Sequence, residues 1–355
     1  MHNLTTSDGV LAYLKGTPFA ANKVQQLAGG HSSFTYRATL ETPLPTGETS
    51  VILKHAEGYI AVYEVMKLDA KRAEHEYNAL AAVWSSGLIN PNSTVQIPRP
   101  LHFDPETNTT FMIDLGAVDT LTKVLTDSIQ AIQDGERWYE APRGFRSGIE
   151  YRLGTRRLCG SNNAARNQIL SVHHDMALRS ATMLGLKEPW LESMIEAERQ
   201  RAHDAGCLAI GDLWLDNILV SLVPEHGGLR LYVIDWEMVR PAPPEFDVGE
   251  ITGTALSFAR RYEVHDSLPF IPSLHRAYSQ HRCLDPLRIA GLAGMDAMGL
   301  GTVLTWARDE NEEFLRQVTS EGRALMELAH NHDLNGIKTK SVVKDLFSSG
   351  GQHMV

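Results

Sequence analysis

Between Ile210 and Glu237 the chain reads as two short, apolar, β-rich runs, Ile210–Val220 and Leu231–Glu237, joined by a turn. Folded as a hairpin, they would present Asp212, Asn217 and Asp235 at one end. That trio suits phosphoryl transfer. The reaction needs one carboxylate to accept or orient the hydroxyl proton of the acceptor, and oxygen ligands to hold magnesium against nucleotide phosphates. Asp212 fits the first role, and Asn217 with Asp235 the second. Taken singly, an Asp or Asn beside a strand is a turn residue, so the reading depends on what else the chain supplies.

Upstream, Gly29-Gly30-His31-Ser32-Ser33 forms a turn between two strands. Its glycines let the backbone approach phosphate oxygens, and the Ser32 and Ser33 hydroxyls can donate to them; by itself it is equally an ordinary hairpin turn. The β-branched strand Ser50–His55 carries Lys54 near its end. A lysine there either snorkels to solvent at a sheet edge or pairs with α/β-phosphates. A helix follows over Asp69–Trp84, with Ala73, Tyr77, Leu80, Ala81 and Trp84 as its apolar stripe. Glu74 and Glu76 flank that stripe on opposite sides, and periodicity does not choose between them as a partner for Lys54.

Elsewhere, Ser7–Lys15 forms an opening helix capped by Ser7 or Thr6, and a second hairpin closes at Thr110–Gly116. The pattern is mostly helical from Thr120, with helices over Ala164–Leu184, Leu292–Trp306 and Glu312–His330 and Trp306 filling core. His173-His174-Asp175 makes no metal site, because adjacent helical residues point about 100° apart. The arginine- and aromatic-rich stretch Glu136–Asn163 reads either as a cover over an acceptor pocket or as a solvated connector.

A chain of 355 residues is long for one core, which favours two unequal parts. Its net charge of −10 argues against a nucleic-acid partner. Cys159, Cys207 and Cys283 are too few and too scattered for a disulfide framework or a zinc site. No leader pattern and no apolar run of membrane-spanning length stands out. The expectation is a cytoplasmic protein with no membrane or protein partner.

Together, Gly29-Gly30 with Thr35-Tyr36-Arg37, Leu53-Lys54-His55, Glu76–Leu80, Gly211-Asp212-Leu213-Trp214 with Asn217, and Asp235-Trp236-Glu237 resemble the aminoglycoside phosphotransferase and choline kinase superfamily. The Asp-x-Glu form and the Asp-Leu-Trp loop look most like the methylthioribose kinase branch and its fungal relatives. The resemblance implies an α+β, two-lobed, protein-kinase-like fold, with a small β-rich N-lobe at 1–116 and a larger, mostly helical C-lobe at 117–355. It implies ATP and Mg2+ as cofactors, with ATP beneath Gly29, Gly30, His31, Ser32 and Ser33 and its adenine against Met112, Ile113, Asp114 and Leu115.

By the same template Glu76, not Glu74, partners Lys54, and Asp212 is the catalytic base. Asn217 and Asp235 bind magnesium with Glu237 in support, while Asp247 caps a helix that braces the catalytic loop. The acceptor would be a small molecule with a hydroxyl group, either a methylthioribose-like sugar or a hydroxylated amine such as a hydroxytryptamine. Two positions depart from the pattern. Ile210 stands where the family usually has His, and Ser33 where relatives commonly have Asn. These departures motivate an alternative, a nucleotide-binding scaffold without catalysis, and the acidic balance admits another, an antibiotic-modifying phosphotransferase.

Overall fold

The computed structural model describes residues 2–28, 30–133, 164–201, 206–222, 229–264, 268, 270–308 and 311–347. Gly29, Cys159 and the stretch Glu136–Asn163 lie outside them. The chain opens with helix α1 (Ser7–Leu14), whose N-terminus is capped by Thr6 accepting from the Gly9 amide at 3.2 Å. The strands β1 (Ala21–Gln26), β2 (Phe34–Leu40) and β3 (Ser50–His55) follow, then the small hairpin β4 (Tyr59–Ile60) and β5 (Tyr63–Lys67). Helix α2 (Arg72–Ser85) leads through β6 (Val95–Gln96) to β7 (Pro100–Asp104) and β8 (Thr109–Ile113).

The main sheet is antiparallel, in the order β1-β2-β3-β8-β7. Side chains alternate between its faces. On β3 the buried Val51 and Leu53 join Tyr36, Ala38, Phe111 and the apolar side of α1 in one core. Ile52 and Lys54 therefore point to the opposite face. Register pairs Lys54 with Thr35 and Thr110, and Ile52 with Arg37 and Met112, so these residues share that second face.

The remainder comprises β9 (Asp119–Thr120), α3 (Leu121–Gln133), α4 (Ala164–Met183), α5 (Pro189–Arg201), β10 (Cys207–Ala209), β11 (Ile218–Ser221), β12 (Arg230–Val233) and β13 (Arg240–Ala242). Five more helices follow: α6 (Glu245–Arg261), α7 (Phe270–Ser279), α8 (Pro286–Met298), α9 (Glu312–His330) and α10 (Leu334–Lys340). The chain is thus α+β, a β-rich N-terminal part followed by a larger helical one. The helical core forms where α8 lies between α6 and α9. Gly294 of α8 meets Gly322 of α9 so closely that a Cβ on Gly322 would stand 2.5 Å from the Gly294 carbonyl. Among the described residues no helix is long and apolar enough to cross a membrane.

Three expectations need correction. The helix expected over Leu292–Trp306 starts at Pro286, capped by Asp285, and ends at Met298. The signal was present, since Asp followed by Pro is a helix start. The buried face of α2 is Arg72, Ala73, Glu76, Ala79, Leu80 and Val83, rather than a stripe through Tyr77, Ala81 and Trp84. Two charged residues sit on that face, and a purely apolar pattern does not register them. In the hairpin expected over Ile210–Glu237, the strand β11 takes in only Ile218–Val220 of the first run and continues to Ser221. The part bearing Asp212 is loop.

Candidate active site

Strands β11 and β12 pair antiparallel, and the Ile234 amide donates to the Asn217 carbonyl at 3.0 Å just beyond them. This bond sets Asn217 beside the start of the Asp235-Trp236-Glu237 turn. Asn217 Nδ2 in turn donates to Asp212, at 2.9 Å to the backbone oxygen and 2.9 Å to Oδ2. Asp235 has φ 62° and ψ 65°, a left-handed conformation that costs a non-glycine residue energy. Contacts on both sides hold it there. Lys54 Nζ lies 2.5 Å from Asp235 Oδ1, and the next amide, that of Trp236, donates to Glu76 Oε1 at 3.2 Å.

Lys54 is the centre of this cluster. Its ammonium lies 3.0 Å from Glu76 Oε2, 2.5 Å from Asp235 and 3.6 Å from Glu237 Oε2. Burial works against the charge, but the three carboxylates more than offset it, and the Lys54 pKa stands well above its ordinary value. Glu76 is pushed up to about 7 by burial, opposed by Lys54. Oxygen atoms of Glu76, Asp235 and Glu237 lie within 4.8 Å of one another, a donor set of hard oxygens. The choice left open by periodicity is resolved geometrically. Glu76 faces Lys54 and is buried, whereas Glu74 is exposed.

The loop bearing Asp212 is braced by α6 from behind. Asp247 accepts from the Ile210 amide at 2.9 Å and the Gly211 amide at 3.0 Å, and Glu250 Oε2 accepts from Leu213 at 2.7 Å. Asp247 is the third residue of α6, inside the helix rather than its cap, which is Pro244. Gly211 has φ +83°, and a Cβ there would lie 2.5 Å from the Met238 carbonyl. Ile210 enters this arrangement through its backbone, and its side chain packs on the core. Burial, with Asp235 and Glu237 adding to it, pushes the Asp212 carboxyl up to about 8.

A cavity of about 760 Å³ lies over the second face of the main sheet. It is lined by Gly30, His31 and Ser32, by Lys54 and Glu76, by Met112, Ile113, Asp114 and Leu115, and by Asn217 and Asp235. Ser33, Asp212 and Glu237 are not among its lining residues. Ser33 is buried, with 4% of its surface exposed. Asp114 reaches the cavity, but its carboxylate is committed to Arg37 at 2.7 Å and Ser50 at 2.7 Å. The Ile113 amide is likewise used, donating to Arg99 O at 3.0 Å.

Some residues at the site had no signal in the sequence pattern. Arg308 also lines the cavity and donates to His31 Nε2 at 2.8 Å across 277 positions of chain. Burial, then the Arg308 charge, holds the His31 pKa below its ordinary value. Thr305 donates to Asp216 at 3.0 Å on the same wall. Arg72, Glu250 and Arg308 each reach a partner far along the chain, at Ser32, Leu213 and His31, and no local pattern marks such a pairing.

A family model described as the phosphotransferase enzyme family matches residues 156–292, a span that contains Asp212 through Glu250. Phosphotransferase FrzJ of Cladobotryum sp is 31% identical, covering 76% of this chain and 78% of that protein. The 4-hydroxytryptamine kinase of Psilocybe cyanescens is 27% identical, over 97% of this chain and 98% of its own length. That of Psilocybe cubensis is 24% identical with the same coverage.

Proposed function

The chain belongs to the phosphotransferase enzyme family, and from that premise we infer that it transfers the γ-phosphoryl group of ATP to the hydroxyl of a small hydroxylated amine, a hydroxytryptamine or a close analogue. The observation that carries this reading is the convergence on one cavity of Lys54 and Asp235, with Asn217 in contact with both the Asp235 turn and Asp212. The choice of acceptor rests on the two full-length relatives named 4-hydroxytryptamine kinase.

The residues present fit the implied cofactors. The cavity volume of about 760 Å³ is in the range of small-molecule sites, and the oxygen-only donors suit Mg2+ in preference to a softer metal. When bound, Mg-ATP supplies the transferable phosphoryl group, with the metal offsetting its charge. Asp235 and Asn217 would hold the metal. With its amide nitrogen turned to Asp212, Asn217 presents Oδ1 as the ligand atom. Glu237 supports them.

Lys54, oriented by Glu76, would pair with the α/β-phosphates, and the backbone at 30–33 would cover them, with Gly29 assigned to the same loop. The edge at Met112–Leu115 would receive adenine. Asp212, in its carboxylate form, would orient the acceptor hydroxyl and take its proton as the acceptor oxygen bonds to the γ-phosphorus and the bond from that phosphorus to the β-phosphate oxygen breaks, releasing ADP. In this reading residues 1–116 carry the nucleotide and 117–355 the catalytic loop and the acceptor.

The test is ADP release with Mg-ATP and a panel of hydroxytryptamines, methylthioribose, choline, ethanolamine and aminoglycosides. We expect turnover with a hydroxytryptamine, and a loss of about 10²–10⁴-fold in kcat for Asp212→Asn with nucleotide binding retained. An unchanged rate in Asp212→Asn would sink the mechanism; turnover confined to another acceptor would sink the substrate assignment.

A further inference from the structure

Arg72 opens α2 and is fully buried, with 0% of its surface exposed. A guanidinium carries five N–H donors in a fixed fork and is costly to bury unless they are used. Here the fork spans four segments of chain. Nη2 donates to Ser32 O at 2.7 Å and to Tyr59 O at 3.3 Å. Nη1 donates to Glu57 O at 2.8 Å, Asp69 O at 3.0 Å and Leu68 O at 3.3 Å. On the third side Nε lies 3.4 Å from Glu237 Oε2.

One end of the fork therefore holds the backbone of the glycine-turn loop, and the other faces the carboxylate that also approaches Lys54. Resting on the functional reading above, we propose that Arg72 is a positioning residue for phosphoryl transfer, fixing the phosphate-covering loop at Ser32 relative to Glu237 and hence to the metal-binding carboxylates. The geometry requires a fork. A lysine ammonium is one nitrogen, and it cannot reach the Ser32 and Tyr59 carbonyls while also facing Glu237.

The test combines Arg72→Lys, Glu237→Gln and the double variant, each read by melting temperature, by kcat and by the Mg2+ concentration for half-maximal rate. In folded Arg72→Lys protein kcat falls by about tenfold or more, and the Mg2+ requirement rises by a similar factor, as a misplacement of order 1 Å would produce. The acceptor KM stays near wild type. The double variant is no worse than the poorer single one, because both cut the same link. A lowered melting temperature with unchanged kcat and Mg2+ dependence would make Arg72 merely structural and overturn the proposal, as would independent, multiplying effects.

A second measurement leaves Arg72 in place. Glu237→Gln should raise hydrogen exchange at the amides of residues 32–35, and unchanged protection there overturns the proposal even if Arg72→Lys does not fold. A wild-type protein with no transfer to any acceptor defeats the functional reading instead. The exchange result then still decides whether the link exists.

Discussion

Replacing Asp247 by Asn tests whether the loop carrying Asp212 owes its shape to α6. The carboxylate accepts from two adjacent amides, Ile210 at 2.9 Å and Gly211 at 3.0 Å, and is 5% exposed. Asn keeps the shape but has one acceptor oxygen, so its NH2 group meets the second amide donor to donor. A hydrogen bond to a charged group contributes about 1.5–3 kcal/mol, and a buried donor left unmatched costs about 1–3 kcal/mol. The net loss is about 3 kcal/mol, a fall of roughly 4 °C in melting temperature for a chain of 355 residues. The catalytic consequence is sharper. Gly211 directly precedes Asp212, and a shift of order 1 Å in a reacting group costs about a hundredfold. Melting curves and steady-state kinetics below the transition should show kcat down by about a hundredfold with the ATP KM within about threefold of wild type. A folded Asp247→Asn protein with wild-type kcat would refute the bracing argument, as would a loss confined to KM.

Gly211→Ala places a Cβ 2.5 Å from the Met238 carbonyl at φ +83°; destabilisation of about 2 kcal/mol and a matching loss of turnover are expected, and a wild-type melting temperature would contradict the strain. His275 is buried and bonded to Thr252 Oγ1 at 2.9 Å, and burial, with Arg276 adding to it, pulls its pKa down to about 4 from an ordinary 6.5. The unfolded chain thus binds a proton at this site below pH 6.5 that the folded one refuses until about pH 4. Stability falls as pH drops through that window, by about 3 kcal/mol in all. Melting temperatures of His275→Gln should depend less steeply on pH between 6.5 and 4 than those of wild type; parallel slopes would count against it.

The parts of the site that the sequence made legible are those tied to local pattern. The hairpin around Asn217 and Asp235, and the strand bearing Lys54, follow from short β-branched runs bounded by turn residues. Periodicity alone left Glu76 and Glu74 open and only the family resemblance named Glu76, because a buried glutamate on a helix face looks polar to any hydrophobic pattern until its partner across the sheet is known. The short strands Cys207–Ala209 and Arg240–Ala242 had no signal for a different reason. They are three residues each, Pro241 interrupts the second, and they exist only because they pair with one another.

That pairing bears on the anomaly at Ile210. Strand β10 ends at Ala209, and its partner β13 leads through a short connection into α6, which carries Asp247 and Glu250. The ladder thus delivers the bracing carboxylates to the loop immediately after β10, and they bind the amides of Ile210, Gly211 and Leu213. Every one of these contacts is to backbone. The side chain at position 210 is therefore free to vary without unseating Asp212, and an isoleucine there removes no hydrogen bond that holds the loop. The same logic limits what may change 37 positions later, since Asp247 acts through its side chain, whose two carboxylate oxygens accept from both amides. Loss of catalysis in this architecture is thus expected from substitution at Asp247 before it is expected from the residue that precedes the Gly-Asp pair.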